Sequence, residues 1–317
     1  MTRFSPLASP SATKAALAAR RITTKKSLGQ HFLIDDGIVG KILRLAELSA
    51  GDAVLEVGPG IGTLTEALLL QGASVLAIEK DDKLLSALAE LQERYPASFS
   101  FIHADALDLL GAPNHDLAAA PSKLIANLPY AVAATIVLEC FQRLPSLESA
   151  TVMVQAEVAA RMAAHPGSKD YGAYSVKLQL LAEPAGSFSV GPQSFLPPPR
   201  VDSTVLRLNR IAGSLEGEGV GDEKEGSRRR LVCTASAFHR ATTSIIEAAF
   251  AQRRKTIRNS MRSWFSAHNE DPALVDTLLA SHRIDPKTRG ETLTVNQYRE
   301  LGASFAALCN NVSDVSC

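Results

Sequence analysis

Apolar positions in the first two thirds of this chain come in short runs, and stretches of helical spacing separate the runs. Ala53–Val57, Ser74–Glu79, Phe99–His103, Lys123–Asn127 and Thr151–Gln155 predict β-strands. Between or after them, Leu64–Gln71, Asp82–Arg94, Val132–Arg143 and Glu157–Ala164 carry the spacing of amphipathic helices. Such alternation implies an α/β fold with a doubly wound sheet, parallel across these strands. Val176–Leu181 and Thr204–Leu208 are also β-rich, and they are expected to close the sheet as a hairpin. Ile211–Ser227 is rich in Gly and Glu and has no period, so it predicts a linker. Beyond it Ser244–Ala251, Lys255–Phe265, Pro272–Ala280 and Val295–Leu308 are helical, which predicts a small all-helical C-terminal domain. The expected division is an arm over 1–24, an α/β domain over 25–210, a linker over 211–227 and a helical domain over 228–317.

Composition adds limits. A chain of 317 residues that is 46% hydrophobic can bury two cores. No apolar run approaches the roughly 18 residues that span a bilayer, so no membrane partner is expected. Cys140, Cys233, Cys309 and Cys317 lie far apart. They read as reduced thiols of an intracellular protein, and neither a disulfide framework nor a metal site is predicted.

The formal net charge of zero hides a strong asymmetry. Residues 1–34 hold no acid, but they include Arg3, Lys14, Arg20, Arg21, Lys25 and Lys26. Residues 228–262 hold nine Lys or Arg against the single acid Glu247. A phosphate backbone responds to local charge, so both regions are candidate nucleic-acid surfaces. The Ser/Ala/Arg-rich start lacks the apolar core of a secretory signal. It fits a disordered basic arm on a cytoplasmic protein or an organelle transit peptide.

Candidate chemistry begins at Val54-Leu55-Glu56-Val57-Gly58-Pro59-Gly60-Ile61-Gly62, a Gly-rich turn directly after a strand. Such a turn lets backbone approach a ligand, and the helix that follows offers free N–H groups. Alone it is a weak signal. Glu79 ends the next strand, where it suits the two hydroxyls of a ribose, and Asp105 follows the third, where it can accept from an adenine amine. Helix capping is the alternative for either acid.

The most specific segment is Ile125-Ala126-Asn127-Leu128-Pro129-Tyr130 at the end of the fourth strand. A ring-conjugated amine is a poor nucleophile because its lone pair is delocalised. Acceptors for both of its N–H groups favour the tetrahedral nitrogen that attacks. The Asn127 side-chain carbonyl and the Leu128 backbone carbonyl can supply them, with Pro129 stiffening the loop. Tyr130 offers a face for stacking an extruded base. The bland alternative is a β-turn capped by a core tyrosine.

These segments resemble the KsgA/Dim-type rRNA adenine dimethyltransferase family over most of the chain. The resemblance is carried by Lys26-Ser27-Leu28-Gly29-Gln30-His31-Phe32-Leu33, Glu56-Val57-Gly58-Pro59-Gly60 and Asn127-Leu128-Pro129-Tyr130. Two further segments are Ser194-Phe195-Leu196-Pro197-Pro198-Pro199-Arg200-Val201-Asp202-Ser203 and the run from Ala249 through Arg253-Arg254-Lys255 and Arg258 to Asn259. The resemblance implies a Rossmann-like domain that uses S-adenosylmethionine (SAM) and a helical domain that binds RNA. It implies cofactor contacts for His31, Leu33, Gly58, Gly60, Glu79, Asp105 and Asn127. Many members carry Asn where this chain has His31, which could instead cap the next helix. Phe195 resembles an aromatic that closes the target base against Tyr130, although a core plug is equally open. Arg253, Arg254, Lys255 and Arg258 are expected to meet RNA phosphates.

The implied substrate is a pair of adjacent adenines in the 3′-terminal hairpin of small-subunit rRNA, and nothing suggests obligate assembly beyond a monomer. Leu128 and the Arg-Arg-Lys-Thr segment set the chain apart from the family's macrolide-resistance branch. A small-molecule methyltransferase would not need the basic helical domain, and a non-catalytic relative would not need an intact Asn127–Tyr130 loop. A role in ribosome assembly is compatible with the whole sequence.

Overall fold

A computed structural model describes residues 3–22, 30–112, 117, 120–214 and 225–313, without the side chains of 225–237 and 310–313. Lys25, the Lys26–Gly29 part of the first motif segment and the side chains of Arg228, Arg229 and Arg230 lie outside the described residues.

The chain runs α1 (Pro10–Ala19), β1 (Phe32–Leu33), α2 (Asp36–Leu45), β2 (Ala53–Val57), α3 (Thr63–Leu70), β3 (Ser74–Glu79), α4 (Leu85–Arg94), β4 (Phe99–His103) and α5 (Ala106–Gly111). It continues through β5 (Lys123–Asn127), α6 (Ala133–Arg143), β6 (Ser149–Gln155), α7 (Ala156–Met162), α8 (Ala173–Gln179), β7 (Ala182–Val190), β8 (Phe195–Leu196) and β9 (Ser203–Arg210). Four helices follow: α9 (Glu225–Phe250), α10 (Ile257–Ala267), α11 (Ala273–Ser281) and α12 (Val295–Ser313).

The main sheet has the order β4-β3-β2-β5-β6-β9-β7. The pairs β2–β3, β3–β4, β2–β5 and β5–β6 are parallel, and β9 runs antiparallel to β6. Leu55, Ile78, Leu124, Ile125, Val152 and Val154 are buried with the sheet, which is why these strands read as apolar runs instead of strict alternation. Chain order reverses between β2 and β5. Their carboxyl ends flank the switch point, where open α/β sheets form a ligand crevice.

Two compact units emerge: Met1–Ala159 with Glu183–Arg210, and Ala160–Ala182 with Ile211–Cys317. This corrects the expected α/β domain over 25–210. Residues 160–182 go with the helical unit because Tyr171, Val176 and Leu180 join Ile245, Ile257, Met261 and Tyr298 in one core. The Tyr171 hydroxyl also donates to the Leu293 carbonyl at 3.0 Å.

Three further expectations change. Val176–Leu181 is not a strand but spans the end of helix α8; the strand that joins the sheet beside β9 is β7. The linker expected over 211–227 ends sooner, since α9 already begins at Glu225. The arm over 1–24 was expected to be disordered, yet it contains α1. Ser9 caps that helix through its side chain, Pro10 fills its first turn, and Thr13, Ala16 and Leu17 are buried. Apolar burial tethers α1: Ala16, Leu17 and Ile22 cluster with Phe32, Ile61 and Leu84, and an Arg20–Glu90 ion pair adds a link.

Candidate active site

The glycine turn leaves β2 with backbone that side chains rarely permit. Gly58 and Gly60 have φ of +72° and +64°, and a Cβ on Gly60 would sit 3.2 Å from the Phe32 ring. The Gly58 amide donates to the Ile78 carbonyl at 2.9 Å, which ties the turn to β3.

Glu79 terminates β3 and is 6% exposed. One carboxylate oxygen accepts from the Gly60 amide at 3.2 Å, and the other accepts from the Asp81 amide at 2.8 Å. Burial pushes this carboxyl above its ordinary value, and the backbone N–H donors oppose the shift. Asp105 stands nearby by register, because Glu79 pairs with His103 across β3 and β4. It caps α5 through the Leu107 amide at 2.9 Å and pairs with Lys80 at 2.6 Å, and the Lys80 hydrogen bond holds its carboxyl below the ordinary value. Asp105 therefore does act as a helix cap, at the lip of the crevice.

Asn127 ends β5 opposite Met153 of β6, and the Leu128 amide donates to the Met153 carbonyl at 3.1 Å. The Asn127 amide nitrogen donates to the His31 carbonyl at 3.1 Å, which leaves its Oδ1 as the acceptor. Leu128 is buried by its side chain, so only its backbone can serve chemistry. The space over Gly58 belongs to Pro129, whose ring would lie 3.5 Å from a Cβ there. Loop and glycine turn thus meet at the switch point. Tyr130 shares a 2.6 Å hydrogen bond with the Ser203 hydroxyl, and its ring stacks on His31 with centroids 5.6 Å apart. Burial raises the Tyr130 hydroxyl pKa.

Two expected site residues point elsewhere. β1 and β8 pair so that Leu33 faces Phe195, and both are buried in the main core, at 3% and 2% exposure. Phe195 is thus the core plug and offers no free face to a base. Any ligand contact by Leu33 would be through its backbone. In the helical unit, Arg253, Arg254 and Lys255 lie exposed in the turn between α9 and α10, while Arg258 on α10 is paired with Asp276 of α11. Arg254 and Arg258 therefore do not share one helical face.

Sequence reasoning missed four contributors. Gln30 donates to the Asp81 carboxylate at 2.7 Å, Phe32 covers Gly60, Ser203 holds Tyr130, and Glu56 lies buried beside Thr65 at 2.6 Å. Gln30, Phe32, Glu56 and Ser203 all stand inside the motif segments, so their place was visible but their contacts were not.

The residues fit SAM. Positive φ at Gly58, Gly60 and Gly62 shapes a tight turn at the end of β2, and Glu79 is a buried acceptor suited to a ribose diol.

The family described as "Ribosomal RNA adenine dimethylase" matches residues 21–221. A "Ribosomal RNA small subunit methyltransferase A" of Thermobifida fusca (strain YX) is 38% identical over 299 residues, covering 93% of this chain and 95% of the relative. The protein of that name from Mycobacterium bovis (strain BCG / Pasteur 1173P2) is 41% identical over 280 residues, covering 87% and 81%. Among solved structures, a dimethyladenosine transferase from Plasmodium falciparum shares the fold, with a TM-score of 0.67 and 21% identity over 87% of this chain and 98% of that one. On its matched motifs and its full-length relatives, the chain belongs to the ribosomal RNA adenine dimethylase family, whose methyl donor is SAM.

Proposed function

We propose that this protein dimethylates the N6 amines of two adjacent adenines in the 3′-terminal hairpin of small-subunit rRNA. The observation that carries the reading is the orientation of Asn127. One of its amide N–H groups donates to the His31 carbonyl, which orients the side chain and leaves its own carbonyl as an acceptor beside the Leu128 backbone at the mouth of the crevice. Two acceptors there can draw on both N–H groups of an adenine amine and favour a pyramidal nitrogen. The methyl group of SAM sits on a sulfonium, which makes it electrophilic. Glu79 holds the ribose, Gly58 and Gly60 admit the methionine portion, and Asp105 takes the adenine amine at the rim. Tyr130, anchored by Ser203, presents its ring for the target base. Bound SAM would supply the methyl group and leave as the neutral thioether, and the amine proton would pass to water.

The exposed turn Arg253-Arg254-Lys255 suits phosphate contacts, which makes the helical unit the RNA-binding unit. Bacterial relatives named for small-subunit rRNA support a cytoplasmic setting and a ribosomal partner. No helix among the described residues is long and apolar enough to cross a membrane. Transfer of tritiated methyl groups to unmethylated small subunits tests the proposal. Incorporation into adenine, with loss in Asn127→Ala, is expected. No incorporation by the unaltered protein would overturn it.

A further inference from the structure

His31 meets three segments that are far apart in the sequence. Its backbone carbonyl accepts from the Asn127 amide at 3.1 Å. Nδ1 lies 2.7 Å from the Pro197 carbonyl, so the ring N–H donates there and fixes the tautomer. Finally, the ring is stacked on Tyr130, 5.6 Å between centroids and 25° between planes. The side chain spends its hydrogen bond and a ring face on the loop that carries the acceptors and on the strand-end segment after Phe195.

We infer that His31 is a positioning residue for the target base: its ring sets the plane of Tyr130 and holds the 127–130 loop against the 195–197 segment. The role differs from the cofactor contact that family resemblance implies at this position. It rests on the methyl-transfer reading, because Tyr130 needs a fixed plane only if a base is to stack on it. A ring displaced by a fraction of its own width no longer aligns the amine with the methyl group, and the reaction is steeply sensitive to such displacement.

Two substitutions separate the contacts. His31→Asn keeps a nitrogen where Nδ1 stands and so keeps the Pro197 bond without the stack. His31→Phe keeps the stack without the bond. His31→Ala loses both. For His31→Ala the expected result is a fall in kcat of about 100-fold, the scale that misplacement produces, with calorimetric SAM affinity unchanged. His31→Asn and His31→Phe should each recover part of kcat. A readout independent of turnover is chemical denaturation without SAM. There His31→Ala and Tyr130→Leu should be coupled, the double variant losing less than the sum of the two single losses. If His31→Ala weakens SAM binding with kcat retained, His31 is a cofactor residue and the inference is overturned. Unchanged kcat in all three variants, or strictly additive denaturation shifts, also overturns it. Failure of the unaltered protein to methylate small subunits would instead sink the functional reading. Should His31→Ala not fold, the Asn and Phe variants still decide, because each preserves one contact.

Discussion

The Gly60 amide donates to the Glu79 carboxylate at 3.2 Å, so one buried acid both braces the cofactor turn and ends the strand beside it. Replacing Glu79 with Ala removes the ribose acceptor and leaves the Gly60 and Asp81 amides without their partner. The SAM dissociation constant should rise by about tenfold to a hundredfold, the scale of one or two lost hydrogen bonds to a charged group. Turnover at saturating SAM should change less. Calorimetric titration checks this, and unchanged affinity would return Glu79 to a structural role.

Behind that acid lies a second. Glu56 is 1% exposed; burial pushes its carboxyl from the ordinary 4.5 up to about 8, with the Thr65 hydrogen bond opposing and Glu79 adding to the rise. Between those two values the folded protein holds a proton that the unfolded chain has lost. Stability therefore falls as pH rises through that window, by about 1.4 kcal/mol per pH unit for one such group. Glu56→Gln keeps the size and a partner for Thr65 but does not titrate. Its urea midpoint should decline less than that of the unaltered protein between about pH 5 and about pH 8. Parallel pH profiles for the two proteins would show that Glu56 does not carry the dependence.

Asn127 makes the third prediction. Asn127→Ala deletes a preorganised acceptor, which should cost about 3–4 kcal/mol of barrier and suppress methyl transfer. Family resemblance also implies an Asn127 contact to SAM, so a modest loss of SAM affinity should accompany it. Single-turnover methylation near the unaltered rate would exclude Asn127 from the chemistry.

The sequence made the sheet from β2 to β5 readable to the residue. The interior strands β2, β3 and β5 are largely buried and appear as apolar runs, while the edge strand β4 shows through Phe99, Phe101 and Ile102 with Ser100 and His103 exposed. What escaped reading was decided by distant partners. The Val176–Leu181 stretch alternates apolar Val176, Leu178 and Leu180 with polar Lys177 and Gln179, a strand-like period, but its helix is fixed by Tyr171, Ile245 and Ile257 across the helical core. α1 is only weakly amphipathic, and Ala16 and Leu17 are buried because Phe32, Ile61 and Leu84 cover them. Phe195 is decided in the same way: the β1–β8 register turns it inward opposite Leu33, a pairing that no local pattern announces. The site residues on strand ends were legible because topology places them. The residues that hold them, Gln30 and Ser203, act through side-chain contacts that spacing does not reveal.

The last prediction separates cations that are free to meet phosphate from cations that are already answered. Arg258 donates to both oxygens of Asp276, at 2.6 and 3.1 Å, and Arg262 adds a bond of 2.8 Å to the same carboxylate. The Asp276 carboxyl is held below its ordinary value, chiefly by the Arg258 hydrogen bond. Arg258 therefore stays charged, but its fork is occupied and its field is partly cancelled. Arg253, Arg254 and Lys255 differ, because they sit exposed in the turn between α9 and α10, and the Arg253 guanidinium donates to the neutral Lys169 carbonyl at 3.1 Å. Each phosphate contact releases counterions, so each lost contact should make the slope of log affinity against log salt shallower by about 0.7–0.9. Replacing Arg253, Arg254 and Lys255 with Ala should flatten the slope for small-subunit binding by up to about three such steps. Arg258→Ala should barely change it, although that variant leaves Asp276 with Arg262 alone. Calorimetric SAM affinity should stay constant in both, since the cofactor residues lie in the other unit. Equal slopes for the triple variant and the unaltered protein would remove this turn from the RNA surface. A large change in Arg258→Ala alone would mean that the Asp276 pair opens when RNA binds.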